Sequence, residues 1–202
     1  MTATDSSHSN GHDDHGHHDI GFWQKYVFST DHKVIGVQYG VTGLLFLFFG
    51  FMLMMVMRWQ LAHPGEAVPV VGNLLHNIFG KVVISEKGAL TADGYNVFGA
   101  MHGTIMVFFG VVPLAVAGFG NFVVPLQIGA PDMAFPKLNM CSYWSFFISC
   151  VIMVGSFFVD GSAAKSGWTA YPPLAGLADY GQGVSYWKLS LIHISEPTRP
   201  ER

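Results

Sequence analysis

His102-Gly103-Thr104-Ile105-Met106-Val107-Phe108-Phe109-Gly110-Val111-Val112-Pro113-Leu114-Ala115-Val116-Ala117-Gly118-Phe119-Gly120-Asn121-Phe122-Val123-Val124-Pro125 contains no Asp, Glu, Lys or Arg. The uncharged run begins at Tyr95, so as a helix it is longer than the roughly 30 Å hydrocarbon layer of a bilayer. One ionisable ring, His102, lies near its start, and a carboxylate, Asp132, lies just past its end in Gly129-Ala130-Pro131-Asp132-Met133-Ala134-Phe135-Pro136. An ionisable side chain inside a span is costly unless something engages it, which marks His102 as a functional residue. Pro113 falls mid-span, where membrane helices tolerate a kink. Pro125, Gly129 and Pro131 are expected to end the helix.

Two further spans flank this one. Val34 to Met57 is uncharged between Lys33 and Arg58, with Trp59 as an interfacial anchor, and Leu138 to Val159 is bracketed by Lys137 and Asp160. The fold class read from these runs is all-α and integral to the membrane, with spans at about 34–57, 95–124 and 138–159. Composition agrees. Half of the 202 residues are hydrophobic and only 11% are charged, against roughly 25% charged in a soluble domain. A net charge of -3 offers no basic surface for nucleic acid, so membrane lipid is the expected surrounding.

Residues 60–94 form a polar loop with a short amphipathic piece around Leu74 to Val83, and residues 160–187 form a loop rich in Gly, Pro and aromatic residues. Lysine and arginine divide as Lys25, Lys33 and Lys137 against Arg58, Lys81, Lys87 and Lys165, so charge alone does not orient the chain. Cys141 and Cys150 lie nine residues apart, which on a helix places them on opposite faces about 13 Å apart in height, too far to bridge. No secretory leader is read at the N-terminus.

Residues 1–19 are Ser, His, Asp, Asn and Gly, a composition that reads as a disordered tail. Its His8, His12, His15, His17 and His18, interleaved with Asp13, Asp14 and Asp19, could hold zinc or copper loosely, or simply be solvated. Residues 188–202 break character. Ser190 to Pro200 looks like a translated sequencing adapter, and the stretch, with His193, is set aside as non-native.

The order of Gly, Asn, Pro and Asp from His102 to Pro136 closely resembles the second transmembrane segment and following loop of subunit I of the haem-copper terminal oxidases. The likeness covers residues 20–187, the first quarter or so of a subunit with about twelve spans. In that family the enzyme reduces oxygen to water and pumps protons. The resemblance implies haem A, with His102 as an axial ligand of the low-spin haem iron. It implies that Arg58 hydrogen-bonds the haem formyl group, although a boundary arginine that snorkels to the interface is an equal reading. It places Asp132, Asn121, Asn139 and Ser142 at the entrance of the proton-uptake route called the D pathway; read without the family, the same residues make a polar capping turn.

The family pattern is not followed throughout. Lys137 and Met140 stand where the family usually has an arginine and a second asparagine, which retains charge but removes a planar fork. Gly167-Trp168 and Tyr171-Pro172-Pro173-Leu174 resemble the family loop after the third span. The ligands of the high-spin haem and of copper, and the second histidine of the low-spin haem, lie outside this chain in the family. No catalytic residue is therefore assigned here, and the fragment alone is not expected to turn over. The implied partners are subunits II and III and cytochrome c, and the implied location is a bacterial inner membrane. The alternatives are a quinol oxidase subunit I, or a small three-span metal-handling or assembly protein using its histidine-rich tail.

Overall fold

The computed structural model describes residues 22–159, 162–172 and 183–195. The histidine-rich tail, Asp160, the Pro173-Leu174 end of the loop motif, and residues 196–202 lie outside the described residues. Among those described no β-strand forms; one antiparallel bridge joins Ile84 to Leu90. Helix α1 spans His32–Ala62, α2 Gly72–Val83, α3 Ala92–Ile128, α4 Pro136–Gly155 with a 3-10 turn at Ser156–Phe158, and α5 Gly183–Ser195. Helices α1, α3 and α4 are long and apolar enough to cross a membrane, as the uncharged runs predict.

Each span is longer than its apolar run, or begins before it, because caps rather than charges set helix ends. Asp31 precedes α1 and its side chain accepts from the Lys33 N–H at 2.9 Å. Thr91 does the same for α3, accepting from Gly94 N at 2.9 Å. At its far end α1 runs past Arg58 and Trp59 to Ala62, since neither residue breaks a helix. Pro136 opens α4, where its missing N–H would have had no helical partner.

The end of α3 corrects one expectation: Pro125 does not stop the helix, which continues to Ile128. The stop is Gly129, at φ 68°, whose N–H bonds back to the Pro125 carbonyl. Pro113 opens the second of two wide π-helical stretches, Ile105–Val111 and Pro113–Gly118, and the helix is not broken there. A proline lacks the N–H of the helical ladder and crowds the preceding turn, and wider turns relieve both.

The spans pack through glycine. A Cβ on Gly50 would stand 2.7 Å from Met106 Sδ, and one on Gly110 would stand 2.6 Å from Leu47 Cδ2. Without a hydrophobic drive between helices in lipid, such close approach supplies the packing. Around it lie Leu53 and Met57 of α1, Phe98, Met101, Ile105 and Phe109 of α3, and Phe146, Cys150 and Met153 of α4, all buried. Cys141 is exposed and Cys150 buried, both as free thiols on opposite sides of α4. Helix α5 runs into the stretch set aside on composition. There Trp187 and Ser190 are buried, with the Ser190 hydroxyl donating to the Ser149 carbonyl at 2.8 Å.

The polar loop between α1 and α3 is tied to the end of α1. The Trp59 indole donates to the Ala67 carbonyl at 3.2 Å, and the Gln60 side chain accepts from Leu90 N at 3.0 Å. The amphipathic piece read around Leu74 to Val83 is α2, interrupted at Gly80 by a φ of 75°.

Candidate functional site

Polar residues gather toward each end of α3 within the apolar frame. At the first, His102 is half-buried and its Nδ1 lies 2.8 Å from the Gly50 carbonyl of α1. A carbonyl only accepts, so Nδ1 carries the proton and Nε2 keeps its lone pair in the neutral ring. That tautomer leaves Nε2 available to a metal, fixed by a partner on the neighbouring span. The approach that permits it is the glycine contact already described.

Arg58 is exposed, eight residues further along α1 than Gly50, about 12 Å in rise and 80° around the axis. Among the described residues no hydrogen bond or ion pair joins it to His102, so the structure leaves the two at one end without bringing them into contact. Trp168, from the loop after α4, packs edge-on against Phe108 of α3 at 5.7 Å, while Tyr171 is exposed.

Nineteen residues along α3 from His102, most of them in the π-helical stretches, lies Asn121. Its side-chain oxygen accepts from Asn139 Nδ2 at 2.5 Å, and its own amide donates to the Ala117 carbonyl at 2.6 Å. The Ser142 hydroxyl donates to the Asn139 carbonyl at 2.7 Å. Because that hydrogen is committed, the bond of 3.1 Å between Ser142 and Tyr39 is donated by the Tyr39 hydroxyl. Asn121, Asn139 and Ser142, predicted as a group, thus meet in one continuous chain of hydrogen bonds.

Asp132 lies outside that chain, in the turn between α3 and α4. Its carboxylate accepts from Met133 N at 2.7 Å and from His32 Nδ1 at 2.9 Å. These contacts, the backbone N–H foremost and the His32 ring next, hold its carboxyl below the usual value. The His32 side chain is almost wholly buried while Asp132 is nearly half exposed, so the pair forms a wet outer face on a dry support. A cavity of about 310 Å³ opens between the turn and the chain, lined by Met133, Ala134, Phe135, Leu138, Asn139 and Ser142. It is large enough for several waters and has polar partners on its inner wall.

His32, Tyr39 and Gly50 are absent from the sequence-derived set. His32 stands beside Asp31 and Lys33 at a span edge and reads there as a boundary residue. Tyr39 and Gly50 sit within an apolar run where aromatic residues and glycine are ordinary. About a hundred residues separate His32 from Asp132, and Tyr39 from Ser142, and no local pattern reports such pairings.

A family model described as "Cytochrome C and Quinol oxidase polypeptide I" matches residues 34–195. The chain is 40% identical over 171 residues to "Cytochrome c oxidase subunit 1" of Thermostichus vulcanus, covering 84% of this chain and 27% of the relative. It is 36% identical over 179 residues to "Alternative cytochrome c oxidase subunit 1" of Bradyrhizobium diazoefficiens, covering 87% of this chain and 27% of that relative. The chain therefore spans about a quarter of the length of the curated relatives it matches. With its three membrane-capable helices and this match over most of its length, the chain belongs to the cytochrome c and quinol oxidase polypeptide I family, the subunit I of the haem-copper oxidases.

Proposed function

We propose that this chain is the N-terminal part of a proton-pumping terminal oxidase subunit that passes electrons from cytochrome c to oxygen. It would supply one axial ligand of the low-spin haem and the mouth of a proton-uptake route. The observation that carries the reading is the separation of two polar sites on one frame. An imidazole with a free ring nitrogen lies near one end of α3, and a hydrogen-bonded polar chain, with the Asp132 carboxylate in the adjoining turn, lies at the other. An enzyme that takes electrons and protons from opposite sides needs that separation.

His102 Nε2 would hold the iron of haem A, and Arg58 would donate to a substituent of the ring. The group would supply one-electron exchange. The residues of this chain orient the imidazole through Gly50. At the other end Asp132, ionised and exposed, collects protons from water, and the cavity leads from its turn to Asn139 and Ser142. The asparagines bind water without adding charge, and the Ser142 and Tyr39 hydroxyls extend the chain inward.

By the family resemblance the copper ligands lie outside this chain, so the remainder of the subunit would supply that centre. The names of the relatives favour cytochrome c over quinol as donor, and their bacterial sources favour a bacterial plasma membrane. Subunits II and III would complete the assembly.

The test uses the full-length subunit in its assembled oxidase. His102→Asn is expected to abolish the low-spin haem absorption, and Asp132→Asn to leave that spectrum intact while slowing proton uptake on the order of 100-fold. A native low-spin spectrum in His102→Asn would overturn the ligand assignment. Uptake at the native rate in Asp132→Asn would overturn the pathway assignment.

A further inference from the structure

The polar chain does not end the contacts between α1 and α4. One turn beyond Tyr39 on α1, the Thr42 hydroxyl lies 3.2 Å from the hydroxyl of Tyr143, the residue after Ser142 on α4. Thr42 and Tyr143 are both about 93% buried. Two hydroxyl pairs, Tyr39–Ser142 and Thr42–Tyr143, therefore stand side by side between the same two helices. The rings connect them. Tyr39 packs edge-on against Tyr143, with centroids 5.1 Å apart at 81°, and against Phe146 at 5.3 Å. Tyr39 is thus held against both rings, so the placement of the Tyr143 ring bears on where its hydroxyl lies.

We infer that the Thr42–Tyr143 hydrogen bond positions the Tyr39 hydroxyl on Ser142 and so fixes the inner end of the polar chain. Thr42 touches neither Ser142 nor the asparagines through any hydrogen bond; it acts through the Tyr143 ring. Without this bond, whether the hydroxyl lost is that of Thr42 or that of Tyr143, the Tyr143 ring loses its anchor and can shift. Because Tyr39 packs on that ring, its bond to Ser142 lengthens or breaks. The inference rests on the proton-uptake reading of the chain, since positioning matters only if the chain conducts.

The experiment measures proton uptake in the assembled oxidase for Thr42→Val, Thr42→Ser, Tyr143→Phe, the Thr42→Val/Tyr143→Phe double variant and Asp132→Asn. Each single removal of the bond is expected to slow uptake between about twofold and tenfold, the range of one net hydrogen bond, with the low-spin haem spectrum unchanged. The double variant is expected to be no slower than either single one, because both remove the same bond. Thr42→Ser restores the hydroxyl and is expected to restore the rate. Native rates in Tyr143→Phe, additive slowing in the double variant, or no rescue by serine would each overturn the inference. If Asp132→Asn is slow while Thr42→Val and Tyr143→Phe are native, the positioning role fails alone. If Asp132→Asn itself runs at the native rate, the uptake reading fails and takes the inference with it.

Discussion

At the residue scale the two sites use opposite strategies for an ionisable group near a membrane. His102 is oriented by a single carbonyl, that of Gly50, which decides which ring nitrogen remains available. Asp132 is kept charged, by the Met133 N–H and the His32 ring, in a turn open to water. Its lowered pKa has a signed consequence. What these contacts contribute to stability is fully present above the ordinary value near 3.8 and is lost as pH falls through the lower folded-state value. Asp132 is thus expected to remain a carboxylate at pH 5. Infrared difference spectra of the native protein against Asp132→Asn check this, and a protonated carboxyl band for Asp132 at pH 5 would contradict it.

At the element scale the α1–α3 contact carries both the fold and the first site. Gly50 lets Met106 and Ile105 approach while presenting its carbonyl to His102. Gly50→Val is expected to cost about 1–3 kcal/mol, because a branched side chain must displace packed neighbours. It is also expected to shift the low-spin haem band in the assembled oxidase by disturbing the imidazole. A thermal unfolding series beside optical spectra separates the two effects; unchanged stability and spectrum together would refute the contact. The π-helical stretches around Pro113 belong to this scale too. They let one helix continue from the His102 end to Asn121, which a sharp break would have tilted away.

At the scale of the whole molecule, three spans and their loops make a frame that, on the proposed reading, other parts of the subunit would complete. Broad apolar surfaces are left exposed on all three spans, among them Leu44, Leu45 and Phe48 of α1, Val116 and Phe119 of α3, and Ile148 and Val151 of α4. Lipid or the remainder of the subunit would cover them. The 202-residue chain expressed alone is accordingly expected to insert in membranes but to consume no oxygen and to show no low-spin bis-histidine spectrum. Oxygen electrode traces and haem-reconstituted spectra of the purified chain check both expectations, and turnover by the chain alone would overturn them.

The long uncharged runs, read by themselves, determined that the protein is helical, that it has three membrane-capable spans, and where each lies to within a few residues. The hydrocarbon layer demands such runs and little else can satisfy it. The family order of His102, Asn121, Asp132 and Asn139 was legible for the same reason, as polar residues are few enough in this background to stand out. The helix ends were less legible, because caps such as Asp31, Thr91 and Gly129 act through backbone bonds rather than hydropathy. Only the tertiary structure decided that His32 joins Asp132, that Tyr39 extends the asparagine chain, that Thr42 meets Tyr143, and that Gly50 sets the tautomer of His102. Each is a contact between spans far apart in sequence. Its geometry depends on how closely two helices approach, and no property of either residue alone encodes that distance.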